Sequence, residues 1–365
     1  MSKRVIIAGG GTGGHIFPAI AIANALRKID GKIEILFVGA KGRMEMEKVP
    51  QAGYKIVGLD IAGFNRSSLI KNIGLPMKLL KSFLQVRSIF KRFNPHAAIG
   101  VGGYSSFPVL RFAQARDVPS FIHESNSFAG TTNIMLGRKA TKVFVASDGM
   151  ENFFPSKKIL VTGNPVRTDV AHVARIWKDE ALLFFGLQTG SQTVLIVGGS
   201  LGARSINEAV ENGIEELMDA GLQIIWQTGK TEAGRWKDVA RGKKGVWVGD
   251  FIKEMQYAYA AADIVISRAG AMAIAELCVV QKPVVFVPYP FAAEDHQTVN
   301  AQNLMLKNAA LVVKDSEAKE KVVATIIALA KNEAKQIELK QNIARLAITD
   351  ADKIIAEEII RAINN

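Results

Sequence analysis

The sequence holds a single cysteine, Cys278, among 365 residues. One thiol forms no internal disulfide and supplies no multi-thiolate zinc site, so a disulfide scaffold is excluded and a reducing compartment is expected. Histidine is scarce as well, with five residues and no HxxxH or HExxH pair. No acidic pair of the DxD kind lies at a strand end, and neither a metal nor a cofactor is expected. Apolar runs are short: none approaches the roughly 18 to 20 residues that span a bilayer. Lys3 and Arg4 precede only 5–8 before a glycine cluster, too short an apolar core for a signal peptide. Aromatic residues make up 7%, which leaves a nucleic-acid binder without its stacking platforms. The chain is expected to be soluble or peripheral, on the cytoplasmic side.

Apolar residues are plentiful at 48%, and basic residues outnumber acidic ones 46 to 34, a net charge of +12. The length suggests about two domains. The surplus suits a polyanionic partner: a phosphorylated substrate, an anionic membrane surface or nucleic acid.

Short β-branched runs at 5–8, 33–38, 96–101, 119–123 and 142–146 alternate with helix-period segments. A second cycle follows at 193–197, 223–227, 246–248, 263–267 and 283–287. This alternation predicts two α/β domains, each built on a doubly wound parallel sheet. Gly163-Asn164-Pro165 breaks both periodicities, and the boundary is placed there, giving domains 1–163 and 164–344.

The first strand runs into Gly9-Gly10-Gly11-Thr12-Gly13-Gly14-His15. Such glycines let the backbone approach an anion at a helix N-terminus. A dinucleotide site also wants an acid ending the second strand. That strand ends Val38-Gly39-Ala40-Lys41, so a dehydrogenase is disfavoured. His15 would stand at the carboxyl edge of the sheet, where such folds place ligands. Gly103-Tyr104-Ser105 forms a second candidate phosphate turn, and His123-Glu124-Ser125-Asn126 brings polar side chains to the same edge.

Gly198-Gly199-Ser200-Leu201-Gly202 has the form of a hydrolase nucleophile elbow, with Asp263 and His296 following in order. It opens a second domain, however, and Ser200 reads better as a phosphate ligand. Gly229-Lys230-Thr231 imitates a Walker A ending, but Ile224 occupies the position of the required glycine. Glu276 lies in the second turn of the helix opened by 267–270, within reach of vicinal ribose hydroxyls.

Taken together, Gly9 to His15, 102–106, His123-Glu124, 163–167, 198–200, Ser267-Arg268, Glu276 and Asp295-x-Gln297-x-x-Asn300-Ala301 resemble the MurG family of bacterial peptidoglycan N-acetylglucosaminyltransferases, in glycosyltransferase family 28. The resemblance implies the GT-B architecture: two Rossmann-like domains facing a cleft, with 345–365 packing back on the first. It implies inverting transfer of GlcNAc from UDP-GlcNAc to the C4 hydroxyl of MurNAc on lipid I, giving lipid II. The N-terminal domain would take the acceptor and the membrane, the C-terminal domain the donor. Thr12, Gly13, Gly14, Asn126, Arg167, Ser200, Ile252, Ala271, Met272, Ala273, Ile274, Ala275, Glu276 and Gln297 would contact the donor. Gly103, Tyr104 and Ser105 would face the acceptor diphosphate. Ser125, Leu201, Ala269, His296 and Thr298 depart from the family pattern.

Sugar transfer with inversion needs a base for the acceptor hydroxyl and a donor-rich site for the leaving diphosphate. His15 is the candidate base, with Glu124 second. The implied partners are UDP-GlcNAc, lipid I, the anionic inner face of the plasma membrane and other cell-wall synthesis or division proteins, with no nucleic acid. Segment 69–93 interleaves apolar residues with Lys71, Lys78, Lys81, Arg87, Lys91 and Arg92, the composition of an interfacial helix. A diacylglycerol glucosyltransferase of the same architecture is the nearest alternative enzyme.

Overall fold

The central apolar runs become strands buried on both faces. A computed structural model describes residues 2–63, 74–199, 201–292 and 295–364. Strands β1 (Arg4–Ala8), β2 (Glu34–Ala40), β3 (Lys55–Leu59), β4 (Ala97–Gly100), β5 (Ser120–Glu124), β6 (Lys142–Val145) and β7 (Ile159–Val161) form one parallel sheet in the order β3-β2-β1-β4-β5-β6-β7. Alternation along β1 divides its side chains between two cores, as pleating requires. Val5 and Ile7 pack beneath the helix Gly13–Ile29, and Ile6 and Ala8 pack with Val86, Ile89 and Phe90 of the helix Leu75–Phe93.

A second parallel sheet contains β8 (Thr193–Val197), β9 (Gln223–Gln227), β10 (Val246–Gly249), β11 (Ile264–Ser267), β12 (Val284–Phe286) and β13 (Leu311–Val312), in the order β10-β9-β8-β11-β12-β13. Val194 and Ile196 face one core, Leu195 the other. In both sheets the winding direction reverses once, between β1 and β4 and between β8 and β11. The loops leaving those strand pairs diverge at the carboxyl edge, which makes each a place for a ligand.

Three strands have no counterpart among the runs read from the sequence: β3, β7 and β13. All are sheet edges, half-buried rather than enclosed, so they need no continuous apolar run.

The chain divides into two units, 1–166 with 350–365, and 167–349. The division falls after Val166 rather than after Gly163 because the intervening residues hold to the first unit. Asn164 Nδ2 donates to the Ser125 carbonyl at 3.0 Å, and Val166 is buried. At the other end, Leu346 and Ala347 pack on the second unit's core, which moves that boundary beyond 344. The last helix, Ala351–Asn364, returns to the first unit, where Ile355, Ala356 and Ile359 share a core with Ile22 and Leu26. No helix among the described residues is long and apolar enough to cross a membrane.

Candidate active site

In the first unit the turns after β1 and β4 interlock. Gly10 and Gly11 have φ of +150° and +90°, and Gly102 and Gly103 +99° and +87°. Conformations of this kind exclude most side chains. The Gly10 N–H donates to the Gly102 carbonyl at 3.2 Å. A Cβ on Gly103 would meet the Gly10 carbonyl at 2.4 Å, so the close approach requires glycine there. Ser106 Oγ ties the pair together, donating to the carbonyls of Ala8 at 2.9 Å and Gly102 at 3.0 Å.

His15, in the first turn of the helix Gly13–Ile29, lies with its imidazole against Gly102. Its Nδ1 is 3.1 Å from the Gly10 carbonyl and 3.4 Å from Thr12 Oγ1. A carbonyl oxygen only accepts, so Nδ1 carries the hydrogen and Nε2 of the neutral ring carries the lone pair. Thr12 is exposed and caps the helix through its carbonyl, which accepts from the N–H groups of His15 and Ile16. Gly13 and Gly14 form the helix's first turn. Tyr104 is half exposed, with its ring against Gly63. Ser105 is buried, and its hydroxyl has no hydrogen-bond partner.

Sequence reasoning missed Glu45, the first residue of the helix Glu45–Gln51 and 1% exposed. Its Oε2 accepts from the Gly11 N–H at 2.8 Å and its Oε1 from the Ala40 N–H at 2.9 Å. The signal was present in the glycines: a Cβ on Gly10 or Gly39 would collide with the Glu45 side chain.

Glu124, the alternative base, is committed elsewhere. Its carboxylate accepts from the Asn126 N–H and Nδ2, the Gly130 N–H and Asn133 Nδ2, at 3.1, 3.3, 3.1 and 2.8 Å. These bonds use the accepting capacity of both oxygens. Its geometry is that of a clamp on the 124–133 turn, and Asn126 is held in the clamp. The neighbouring His123 is fully enclosed, and burial pushes its imidazole down to about 4.

The second unit places Arg167, Glu276 and Tyr259 together. Arg167 donates to Glu276 through Nε at 2.8 Å and Nη2 at 3.1 Å, and the Tyr259 hydroxyl donates to Oε2 at 3.0 Å. Tyr259 went unremarked in the sequence because nothing in its spacing separates it from a core aromatic. Its burial beside the carboxylate raises its hydroxyl well above the usual range. Of about four lone-pair positions on a carboxylate, these bonds leave one on Glu276.

Residues Ala271, Met272, Ala273, Ile274 and Ala275 form the partly exposed opening of the helix Ala271–Val280, which follows β11 at the reversal point. The Ile252 N–H is taken by Gln227 Oε1 at 3.1 Å, and Gln297 Oε1 accepts from the Tyr289 N–H at 3.0 Å. Ser200 lies outside the described residues.

Comparison with known proteins bears on both units. Residues 5–145 match the glycosyltransferase family 28 N-terminal domain and 193–355 its C-terminal domain. The chain belongs to glycosyltransferase family 28. A curated relative from Phocaeicola vulgatus is 51% identical over 364 residues, covering 98% of this chain and 96% of that protein. It is named UDP-N-acetylglucosamine--N-acetylmuramyl-(pentapeptide) pyrophosphoryl-undecaprenol N-acetylglucosamine transferase, as is one from Cytophaga hutchinsonii at 47% identity, covering 99% and 97%. Among solved structures, MurG from Acinetobacter baumannii is similar at a TM-score of 0.78 and 29% identity, covering 98% of this chain and 99% of that one. A UDP-GlcNAc 2-epimerase from Neisseria meningitidis shares the fold at 0.70 and 15% identity, covering 98% and 100%.

Two consequences of these buried polar groups are measurable. The Tyr259→Phe variant leaves Glu276 one donor short, which should destabilise the second unit by about 1.5–3 kcal/mol in urea unfolding. His123 gives a pH dependence. Its folded value lies below the unfolded one of about 6.5, so the unfolded chain binds the extra proton. The contribution to stability is complete above that value and is lost as pH falls toward 4. Between pH 7 and 4.5, wild type should lose about 2 to 3 kcal/mol more than His123→Gln.

Proposed function

We infer that this family 28 chain transfers N-acetylglucosamine from UDP-GlcNAc to N-acetylmuramyl-(pentapeptide) pyrophosphoryl-undecaprenol, converting lipid I to lipid II. The observation that carries this reading is the full-length likeness, through both units, to relatives that bear this activity in their names.

The acceptor's C4 hydroxyl must lose its proton as it attacks the anomeric carbon, from the face opposite the departing UDP. His15 is the base: its Nδ1–H is held by Gly10, and Nε2 accepts the proton. The opening of the helix Ala271–Val280, at Met272 and Ala273, presents its positive dipole end to the diphosphate. The remaining lone pair of Glu276 suits a single ribose hydroxyl, and Gln297 belongs with the donor sugar. Gly103, Tyr104 and the unpartnered hydroxyl of Ser105 suit the acceptor diphosphate.

The lipid tail of the acceptor calls for a membrane surface. Within the described part of segment 69–93, Met77, Leu80 and Leu84 are 71%, 58% and 60% exposed, a stripe along the helix Leu75–Phe93. Lys78, Arg87 and Lys91 are exposed on the same helix, whereas Lys81 is paired with Asp60 at 3.0 Å; residues 69–73 lie outside the described residues. This helix is the contact with the cytoplasmic leaflet of the plasma membrane.

The test of function is incubation of the chain with radiolabelled UDP-GlcNAc and a lipid I analogue. Labelled lipid II is expected, and no transfer would overturn the reading. In the same assay His15→Ala should lose about 100- to 10,000-fold in turnover while UDP affinity by calorimetry is kept. Near-normal turnover would remove His15 as the base.

For the membrane contact, each basic residue near an anionic surface contributes on the order of 1 kcal/mol. Reversing the charges of Lys78, Arg87 and Lys91 should release the protein from phosphatidylglycerol vesicles at moderate salt. Equal sedimentation of variant and wild type would refute this surface.

A further inference from the structure

Glu45 is a buried acid in the unit that carries His15, closed off from solvent. Its two oxygens bond backbone N–H groups of separate segments, Gly11 in the turn after β1 at 2.8 Å and Ala40 at the end of β2 at 2.9 Å. The Gly11 N–H and the Gly10 C=O are opposite ends of one peptide group. A trans peptide is planar, with these two groups pointing in opposite directions. One end of this peptide therefore meets a carboxylate, and the other meets His15 Nδ1 at 3.1 Å.

We propose that Glu45 is a positioning residue for His15, acting through the peptide group between Gly10 and Gly11. The arrangement is a carboxylate–histidine pair with one peptide inserted. A negative charge on the N–H polarises the peptide and makes its carbonyl a stronger acceptor, because hydrogen bonds in a chain reinforce one another. The stronger acceptor holds the hydrogen on Nδ1, and Nε2 is left as the basic nitrogen.

The same contacts fix the orientation of the peptide. The Glu45 carboxylate fills the space beside Gly10 where a Cβ would stand, and its Cγ fills that beside Gly39. The Gly10 N–H is anchored in turn to Gly102. The peptide cannot flip without leaving a buried carboxylate short of a donor, which is strongly unfavourable.

This inference rests on the reading of His15 as the base, and the experiment separates the two. Glu45→Gln keeps the side-chain volume but sets an amide N–H₂ against a backbone N–H. Turnover with the lipid I analogue should fall about 10- to 100-fold, as with other residues that orient a reactive group, and KM for UDP-GlcNAc should stay within about twofold. In the His15→Ala background the same substitution should cause no further loss, since residues acting through one group are not additive.

The histidine ring itself gives a readout besides activity. In wild type at pH 8, ¹⁵N-edited NMR of the imidazole, assigned with His15→Ala, should show the Nδ1–H form alone. In Glu45→Gln it should show a mixture of the two tautomers. Full turnover by Glu45→Gln, or a loss that adds to that of a crippled His15→Ala, would overturn the positioning role while leaving His15 as base. Near-normal turnover by His15→Ala would overturn both. Should Glu45→Gln not fold, the wild-type spectrum still decides, because an Nε2–H form there contradicts the proposal.

Discussion

A carboxylate taken out of water must be met by donors on nearly every side, and that requirement organises the carboxyl edges of both sheets. Glu45, Glu124 and Glu276 are all less than 10% exposed. Two of them draw together segments that are distant in the chain, and the third closes a local turn. Glu45 joins the turn after β1 to the end of β2, Glu124 closes the turn after β5, and Glu276 brings Arg167 to Tyr259. An unpaired charge at such depth would be far costlier than an unpaired amide. The turns are thereby held in one geometry rather than several, which a reacting constellation needs if its atoms are to sit within a fraction of an ångström of their places.

The sequence carried the fold through its interior. Strands enclosed on both faces are written as continuous apolar runs, and every such run near the middle of a sheet became a strand. The edges β3, β7 and β13 were illegible because a half-exposed strand has no need of that run. Glycines marked the turns after β1 and β4, but the reason for Gly10 and Gly39 lay elsewhere: they make room for Glu45, which stands 34 residues beyond Gly11. No short window contains that pairing. Glu124 was legible as a polar residue at the right edge, but its four bonds to Asn126, Gly130 and Asn133 were not, since they come from a turn whose shape is not encoded in spacing.

Charge shows the same division between inside and outside. The net surplus of +12 says little about the interior, where acids rather than bases organise the turns. Many exposed pairs, such as Arg204 with Glu208 and Lys321 with Glu317, are single turns of helix salt-bridged to themselves, and such pairs contribute little. The helix Leu75–Phe93 differs because its exposed cations stand beside exposed Met77, Leu80 and Leu84. Charge alone attracts any polyanion, whereas charge beside an apolar stripe distinguishes a lipid surface from nucleic acid.

The glycine turn of the first unit shows why a motif is incomplete without its occupant. A dinucleotide fold sets an acid at the end of the second strand to bind ribose and leaves the turn's N–H groups for phosphate. Here an acid arrives just past that strand end, from the following helix, and is turned inward onto the Gly11 N–H itself. The anion that the turn would otherwise recruit is built into the chain. The second unit has the opposite arrangement: the helix Ala271–Val280 has no acid in its first turn, and a Cβ on its capping Gly270 would meet open space. The two turns thus differ in what they can do. The first has its anion supplied internally, on the Gly11 N–H, whereas the second opens on a helix with no acid in its first turn.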